Sequence, residues 1–525
     1  MRAAHLPLLL LFLAHQGTTE AWAGDLEIRS AADDLAAEGV GDPTPEERAA
    51  AFADYRSELE RGQKARAADA LVAIIGDAMS EPHHGEAYAK LGDLLSDLDL
   101  PYASLSSYAR ALEIDAEAEW SATAIERAFS LADQVGDTAL LEPIFAQNVG
   151  GDVDKLTRSR MAYLAARENY REGKYGLTLG LLRLVIRDAP TYADAKMLEG
   201  VVLNQQGRPS VALKPLLEAY DTAKATKRGD RFLNAVLMNV GRSYYAAGNY
   251  PRSIEYFAKV SRDSEFWLQA QFERGWAHFR LDDMNGTIAL LHNHGSPFFE
   301  DFYFPEGHLL RVYSLFLLCK FPEASKQIDS FKALYTPVFE EMRTASSSLS
   351  AEDAFTLARS FALDGDPGPF PEPVLRTWRN EARLLASIDS VQHAEDELAR
   401  LRNISANPFV SHVSRWISSR RDQIVQMEGE RFRGKLVDAT DELGGMLTNV
   451  EISKLDMLQF ETRLYQQAAI TGQLADKERR VMRSDRARKG WLYWPYQGEY
   501  WADELGYYKV NAIPECPAGL RSNED

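Results

Sequence analysis

The stretch GRSYYAAGNYPRSIEYFAKV, residues 241–260, sets Gly241, Tyr244, Gly248, Tyr250, Ser253 and Phe257 at offsets that fit two helices joined by a tight turn. Gly248 supplies the turn, and small and aromatic residues recur at helical spacing on either side of it. One hairpin of this size cannot bury its own apolar face, so the pattern has meaning only if it recurs. It does. In FERGWAHFRLDDMNGTIALL, Gly275 follows Gly241 by 34 residues. Upstream, EGVVLNQQGRPSVALKPLLEA repeats the small residue at Gly200, the turn at Gly207 and alanines at Ala212 and Ala219. ARENYREGKYGLTLGLLRLVIRDAP adds Gly173, Tyr175 and Pro190, again 34 residues out of step with its successor. Further out, Leu91, Gly92, Leu95, Tyr108 and Ala111 keep the pattern, as do Phe321 and Ala324, with weaker copies around Gly62 and Gly136.

This phase resembles the tetratricopeptide repeat family, whose pattern is a Trp/Leu-Gly-Tyr first helix, a Gly-x-Tyr turn and an Ala-Phe-Ala-Pro second helix. The resemblance covers residues 47–337. It implies an all-α fold, a right-handed α-solenoid of seven or eight helix pairs. The chain departs from the pattern in three ways: the register jumps by seven residues around KATKRGD, several other steps exceed 34 residues, and the consensus Trp is mostly missing. In such repeats Gly and Ala let two antiparallel helices approach, aromatic rings fill the remaining space, and each pair buries its open side by stacking on the next. Gly241, Tyr244, Tyr250 and Phe257 are therefore read as structural.

The chain has 525 residues, is 45% apolar and carries a net charge of −19, enough to bury a large core and the wrong sign for a phosphate backbone. Nucleic acid is excluded as a general partner. The start, MRAAHLPLLLLFLAHQGTTEAWAGD, has the layout of a secretory signal over residues 1–23: Arg2, an apolar run from Leu8 to Ala14, then the small-x-small triplet Ala21, Trp22, Ala23. The run is about half the ~20 residues that span a bilayer, and no later segment is apolar enough to cross a membrane. A periplasmic or secreted protein is expected. Two cysteines, Cys319 and Cys516, are too few for a disulfide framework.

In solenoids of this kind the concave face is lined by the first helix of each pair. Its non-core positions give Arg160, Tyr163, Arg167, Tyr170 and Arg171, then Asn239, Arg242 and Tyr245, then Phe272, Trp276, Phe279 and Arg280. Arg, Tyr and Trp are over-represented among interface hot spots. A groove of this composition would suit an extended or helical peptide carrying acidic groups. The plainer alternative is that the aromatic rings pack between neighbouring pairs and the arginines solvate the face.

After Pro337 the repeat fades. LDGDPGPFPEPV, residues 363–374, marks a boundary, and 338–375 is read as an irregular linker. Residues 376–475 read as a long-helix, coiled-coil-like region: Leu384, Val391 and Leu398 recur by sevens beside Ile388 and Leu401. From Phe409 apolar residues continue through Trp416, Ile424, Phe432, Leu443, Met446, Leu455 and Leu464, with Gly444-Gly445 as an expected bend. Residues 476–525 hold KERRVMRSDRARK, with seven basic and two acidic residues, and the run GWLYWPYQGEYWADELGYYKV. So many aromatic rings must dock somewhere. Either they clasp this protein's own long helices, or Trp491, Trp494 and Trp501 anchor another protein or a glycan.

No catalytic constellation emerges. HExxH, CxxC, a glycine-rich phosphate loop and GxSxG are missing, and His83-His84 and His292-x-His294 lack ligand partners at metal spacing and are read as surface turns. The expectation is a non-catalytic scaffold with no cofactor or metal, whose partners are other envelope proteins or peptides. The resemblance extends by analogy to motility, secretion or outer-membrane machinery. Contact with, or processing of, peptidoglycan is the alternative.

Overall fold

The computed structural model describes residues 45–147, 153–299, 302–404, 407–471, 499–512 and 514. The expected signal segment and the basic cluster lie outside the described residues.

Two helices open the described residues, α1 (Pro45–Ala51) and α2 (Ala53–Glu60), and α2 pairs with α3 (Lys64–Ile75). The next pairs are α4 (His84–Asp97) with α5 (Pro101–Ile114), α6 (Ser121–Val135) with α7 (Glu142–Gln147), and α8 (Lys155–Arg171) with α9 (Tyr175–Leu182). Then come α10 (Tyr192–Gln205) with α11 (Pro209–Ala225), α12 (Asp230–Ala246) with α13 (Tyr250–Phe257), α14 (Trp267–Arg280) with α15 (Met284–His292), and α16 (Pro305–Leu317) with α17 (Phe321–Ser346). The structure is all-helical over these pairs, an α-solenoid.

Each pair turns at one residue with left-handed backbone: Gly62, Asp99, Gly136, Gly173, Gly207, Gly248, Asp282 and Cys319. Glycine takes this conformation without steric cost, whereas Asp and Cys adopt it against a penalty. Three of the eight elbows are thus invisible to a search for glycine. Their spacing is 34 or 37 residues except for one step of 41. The extra seven residues lengthen α11, which has 17 residues where α13 has 8, by about two turns. Whole turns preserve the buried face, and Lys227, also left-handed, ends the extension.

Within the pairs a small residue faces a large one sixteen positions later. A methyl group on Gly241 would lie 2.6 Å from the Phe257 ring, one on Gly92 would lie 2.9 Å from Tyr108, and Gly200 meets Leu216 in the same way. The glycines let the two helices close on each other, and the large side chain fills the notch.

Beyond the last pair come α18 (Ala351–Asp364), α19 (Glu372–Arg376), α20 (Ala382–Leu401) and α21 (Pro408–Thr471). Residues 338–375 are therefore not an irregular linker. Helix α17 continues through Pro337, held by Phe331, Tyr335 and Met342 in the core, and only 365–371 separate α18 from α19. Gly444-Gly445 does not interrupt the helix either: α21 runs on for 64 residues, about 96 Å along its axis. The Phe339 ring of α17 sits against Gly444, 2.9 Å from where a Cβ would be, so this glycine serves close approach rather than flexibility. Gly429 does the same against the backbone of Ala351 at the start of α18. Leu455, placed by its spacing on the apolar stripe, points outward and is 61% exposed.

Helix α21 packs on α3, α5, α16, α17, α18 and α20 and so ties the first pairs to the last. At its start the Phe409 N–H donates to Asp69 Oδ1 at 2.8 Å, and Arg420 meets Asp137. Beside it, Glu397 of α20 accepts the Tyr102 and Ala103 N–H groups at the head of α5, each at 2.8 Å. At its far end Phe460 lies edge-on to Phe316 at 5.5 Å. The pairs α10/α11 and α12/α13 bury their apolar residues in small clusters containing no residue of α21, whereas Met161, Leu164 and Ala165 of α8 share a cluster with Phe409, Val413 and Ile417 at the start of α21.

The segment 499–512 docks on α14 and α15, not on the long helices. Leu505 enters a cluster with Trp267 and Leu268, Tyr500 stacks on His292 at 4.8 Å, and Asn285 exchanges two hydrogen bonds with the Ala512 backbone. His294 is no surface turn residue. It packs against Phe304 at 4.8 Å, its Nε2 reaches the Leu268 carbonyl at 3.2 Å, and burial pushes its pKa down to about 4. The fold therefore favours the neutral ring. The stability this provides is complete above pH 6.5 and is lost as pH falls from there through about 4. Unfolding midpoints measured across that window should fall more steeply for wild type than for His294→Asn; parallel curves would show that this ring does not titrate in the fold.

Candidate functional site

Consecutive first helices of the middle pairs touch one another, α10 with α12, α12 with α14 and α14 with α16, whereas their second helices do not approach to the same degree. First helices therefore lie on the inner, concave side. Their starts are set locally: Asp154 accepts the Leu156 and Thr157 N–H groups to open α8, and Gly207 and Gly248 release the chain from α10 and α12.

On α8, Arg160 pairs with Asp133 and lies over the Phe129 ring at 4.2 Å. Arg167 reaches Glu142 Oε1 at 3.1 Å, and Arg171 pairs with the other oxygen of the same carboxylate and with Glu168. Glu142 is fully buried, so two cations of the next pair neutralise it. Tyr163 is half-buried, with its phenol pushed up to about 12 by burial, and Tyr170 sits 6.0 Å from Tyr175.

On α12, Arg242 grips Glu273 of α14 through Nε at 2.8 and 3.0 Å and Nη2 at 2.5 Å, while Gln269 donates to the same carboxylate at 2.9 Å. Burial alone would lower the Arg242 pKa; the charge and hydrogen bonds of Glu273 outweigh it and hold the guanidinium above its ordinary value. Asn239 turns back to the Ala235 carbonyl of its own helix, and Tyr245 packs edge-on to Tyr250 at 5.3 Å. On α14, Phe272 and Phe279 are core residues, Trp276 leans on Phe279 at 5.5 Å, and Arg280 projects outward, donating to Tyr250 Oη at 3.1 Å.

The structure places Arg160, Tyr163, Arg167, Tyr170, Arg171, Asn239, Arg242, Tyr245, Trp276 and Arg280 on the first helices α8, α12 and α14, and it also supplies what the arginines bind. Asp133, Glu142, Glu168 and Glu273 meet four of the five, and Arg280 has Tyr250. Two further pairs, Arg228–Asp194 and Arg231–Glu265, join residues 34 apart, one repeat. The arginines staple neighbouring pairs together, and the partly exposed surface left to a ligand is chiefly Tyr163, Tyr170, Tyr245 and Trp276. These acids carry a signal in the sequence only as charges about one period from each arginine. Of the three expected aromatic anchors, Trp491 and Trp494 lie outside the described residues, and Trp501 is exposed. Among the described residues no group of three His, Cys, Asp or Glu is placed to hold a metal ion.

The tetratricopeptide repeat model matches residues 240–286, which run from the second half of α12 to the start of α15 and include the Gly241–Phe257 contact. That stretch is a tetratricopeptide repeat. A solved structure of a tetratricopeptide repeat protein from Parabacteroides merdae ATCC 43184 is similar at 14% identity, over 55% of this chain and 93% of that one, with a TM-score of 0.26. At that score the likeness says nothing further about shape or partners. No curated protein matches the chain. Tetratricopeptide repeats suggest a protein–protein interaction scaffold and protein partners, and their family is typically non-catalytic.

Proposed function

We propose that this tetratricopeptide repeat protein is a non-catalytic scaffold in the periplasm, part of a cell-envelope assembly of the motility, secretion or outer-membrane kind, and that its working surface is the inner face of the pairs from α8/α9 to α14/α15. The observation that carries this reading is the row of partly exposed rings, Tyr163, Tyr170, Tyr245 and Trp276, on first helices lying between the two ends of the solenoid that α21 fixes. A frame held at both ends presents its groove preorganised, which lowers the ordering cost of binding. Because the arginines are already paired, the groove selects by aromatic packing more than by charge, and an acidic peptide would have to displace Glu273 or Glu142.

Export is supported by the Arg2, Leu8–Ala14 and Ala21-Trp22-Ala23 pattern. Among the described residues no helix is long and apolar enough to cross a membrane.

The test is crosslinking in the native envelope with wild type and Tyr170→Ala/Tyr245→Ala, followed by mass spectrometry of the captured set. Charge reversal of Arg242 is unsuitable, since it would set two carboxylates together. Loss of two hot-spot rings should reduce specific capture by about tenfold or more. An identical set at equal yield would exclude the inner face as the working surface.

A further inference from the structure

A second surface lies on the edge of the solenoid where the C-terminal segment docks. Leu505 is held by Trp267 and Leu268, Gly506 donates to Asn293 Oδ1 at 2.7 Å, and a Cβ on Gly506 would come within 3.0 Å of the Trp267 ring. This anchoring pushes the rest of the turn, Trp501-Ala502-Asp503-Glu504, outward together with Tyr507. Trp501 is 58% and Tyr507 77% exposed. Phe299 carries the apolar surface on from Trp267 at 5.8 Å to Phe302 at 5.7 Å, and Phe302 and its near neighbour Phe298 are 43% and 55% exposed. Four large aromatic side chains thus face solvent around one buried cluster, an arrangement that marks an interaction surface rather than scattered exposure.

Charge identifies the kind of partner. Asp503 and Glu504 are exposed between the two outward rings and have no ion-pair partner among the described residues. Arg262 already holds its guanidinium 6.0 Å from the Trp267 ring centre, so the cluster accommodates a cation at its edge. Electron-rich ring faces beside free carboxylates favour Lys and Arg and disfavour phosphate-bearing surfaces. We propose that Trp501, Tyr507, Phe298 and Phe302, with Asp503 and Glu504, form a docking surface for a partner protein's segment bearing Lys or Arg between apolar residues. This surface is separate from the inner face and does not depend on the reading given for it.

The probe is a fluorescent peptide alternating leucine with Lys or Arg, titrated against the full chain by anisotropy. Trp501→Ala/Tyr507→Ala should weaken binding about tenfold, and Asp503→Asn/Glu504→Gln should do likewise and flatten the salt dependence. Tyr170→Ala/Tyr245→Ala should bind as wild type. All of these side chains except the two groove tyrosines project from the surface, so unfolding midpoints should not move for the turn variants. Equal affinity for a peptide with Gln in place of Lys and Arg would overturn the proposal, as would equal affinity of all the variants. So would Trp501-dependent binding of a chitin oligosaccharide without binding of the peptide. Binding that emerges only after the basic residues of 477–489 are replaced by alanine would assign the surface to the chain's own segment and overturn an external partner.

Discussion

Replacing Asp137 by alanine should cost about 3–5 kcal/mol and free the start of α21 from the first repeats. Asp137 is buried at the elbow after α6, where Arg420 donates to it from Nε and Nη2, both at 3.0 Å, and Tyr102 Oη donates at 2.8 Å. Burial alone would lower the Arg420 pKa, but the Asp137 charge and hydrogen bonds hold it above its ordinary value; Tyr102 is pushed well up, by burial first and by Asp137 second. Without the carboxylate, a guanidinium remains charged in a site with no counter-charge, and a buried phenol loses its acceptor. The loss should be read as a lowered denaturation midpoint, with faster amide exchange at the start of α21 and in α5. Asp137→Leu/Arg420→Leu, which removes both charges, should be much closer to wild type. If Asp137→Ala unfolds like wild type and exchange near Phe409 is unchanged, α21 does not brace the solenoid.

The second large effect lies in the pair that announces the fold. Phe257→Ala should cost about 3–5 kcal/mol, because a fully buried ring leaves a cavity between helices already in contact. Gly241→Ala should cost about 1–3 kcal/mol, since the new methyl would sit 2.6 Å from that ring. The two changes should not add. With the ring gone the methyl occupies vacated space, so Gly241→Ala becomes neutral or favourable in the Phe257→Ala background. Each pair leans only on its neighbours, so exchange should rise first in α12 and α13 and then in the pairs on either side. Strict additivity would show that Gly241 and Phe257 do not share one notch.

The inner face shows where reading by spacing stops. Arg167, Arg171 and Arg242 could be placed on first helices from helical periodicity, because position on a helix is a local property. Their partners could not. Glu142 and Glu273 lie 29 and 31 residues from Arg171 and Arg242, and whether such groups meet depends on the angle at which one pair stacks on the next. The same limit hid the role of Gly444, read as a bend until Phe339 is seen against it, and of Gly429, which meets the Ala351 backbone. It also hid the continuation of α17 through Pro337, where buried neighbours outweigh the lost hydrogen bond.

The repeating hairpins were written in the chain itself: a left-handed elbow, a small residue and a large one sixteen positions on all fall within a single pair, so short-range sterics determine them. Only the tertiary structure decided which arginines are already spent on neighbouring repeats, where the aromatic segment 499–512 rests, and that α21 spans the frame from first pair to last. Those outcomes depend on contacts between residues tens to hundreds of positions apart, such as Asp137 with Arg420, whose energies arise only once the solenoid's curvature has brought them together.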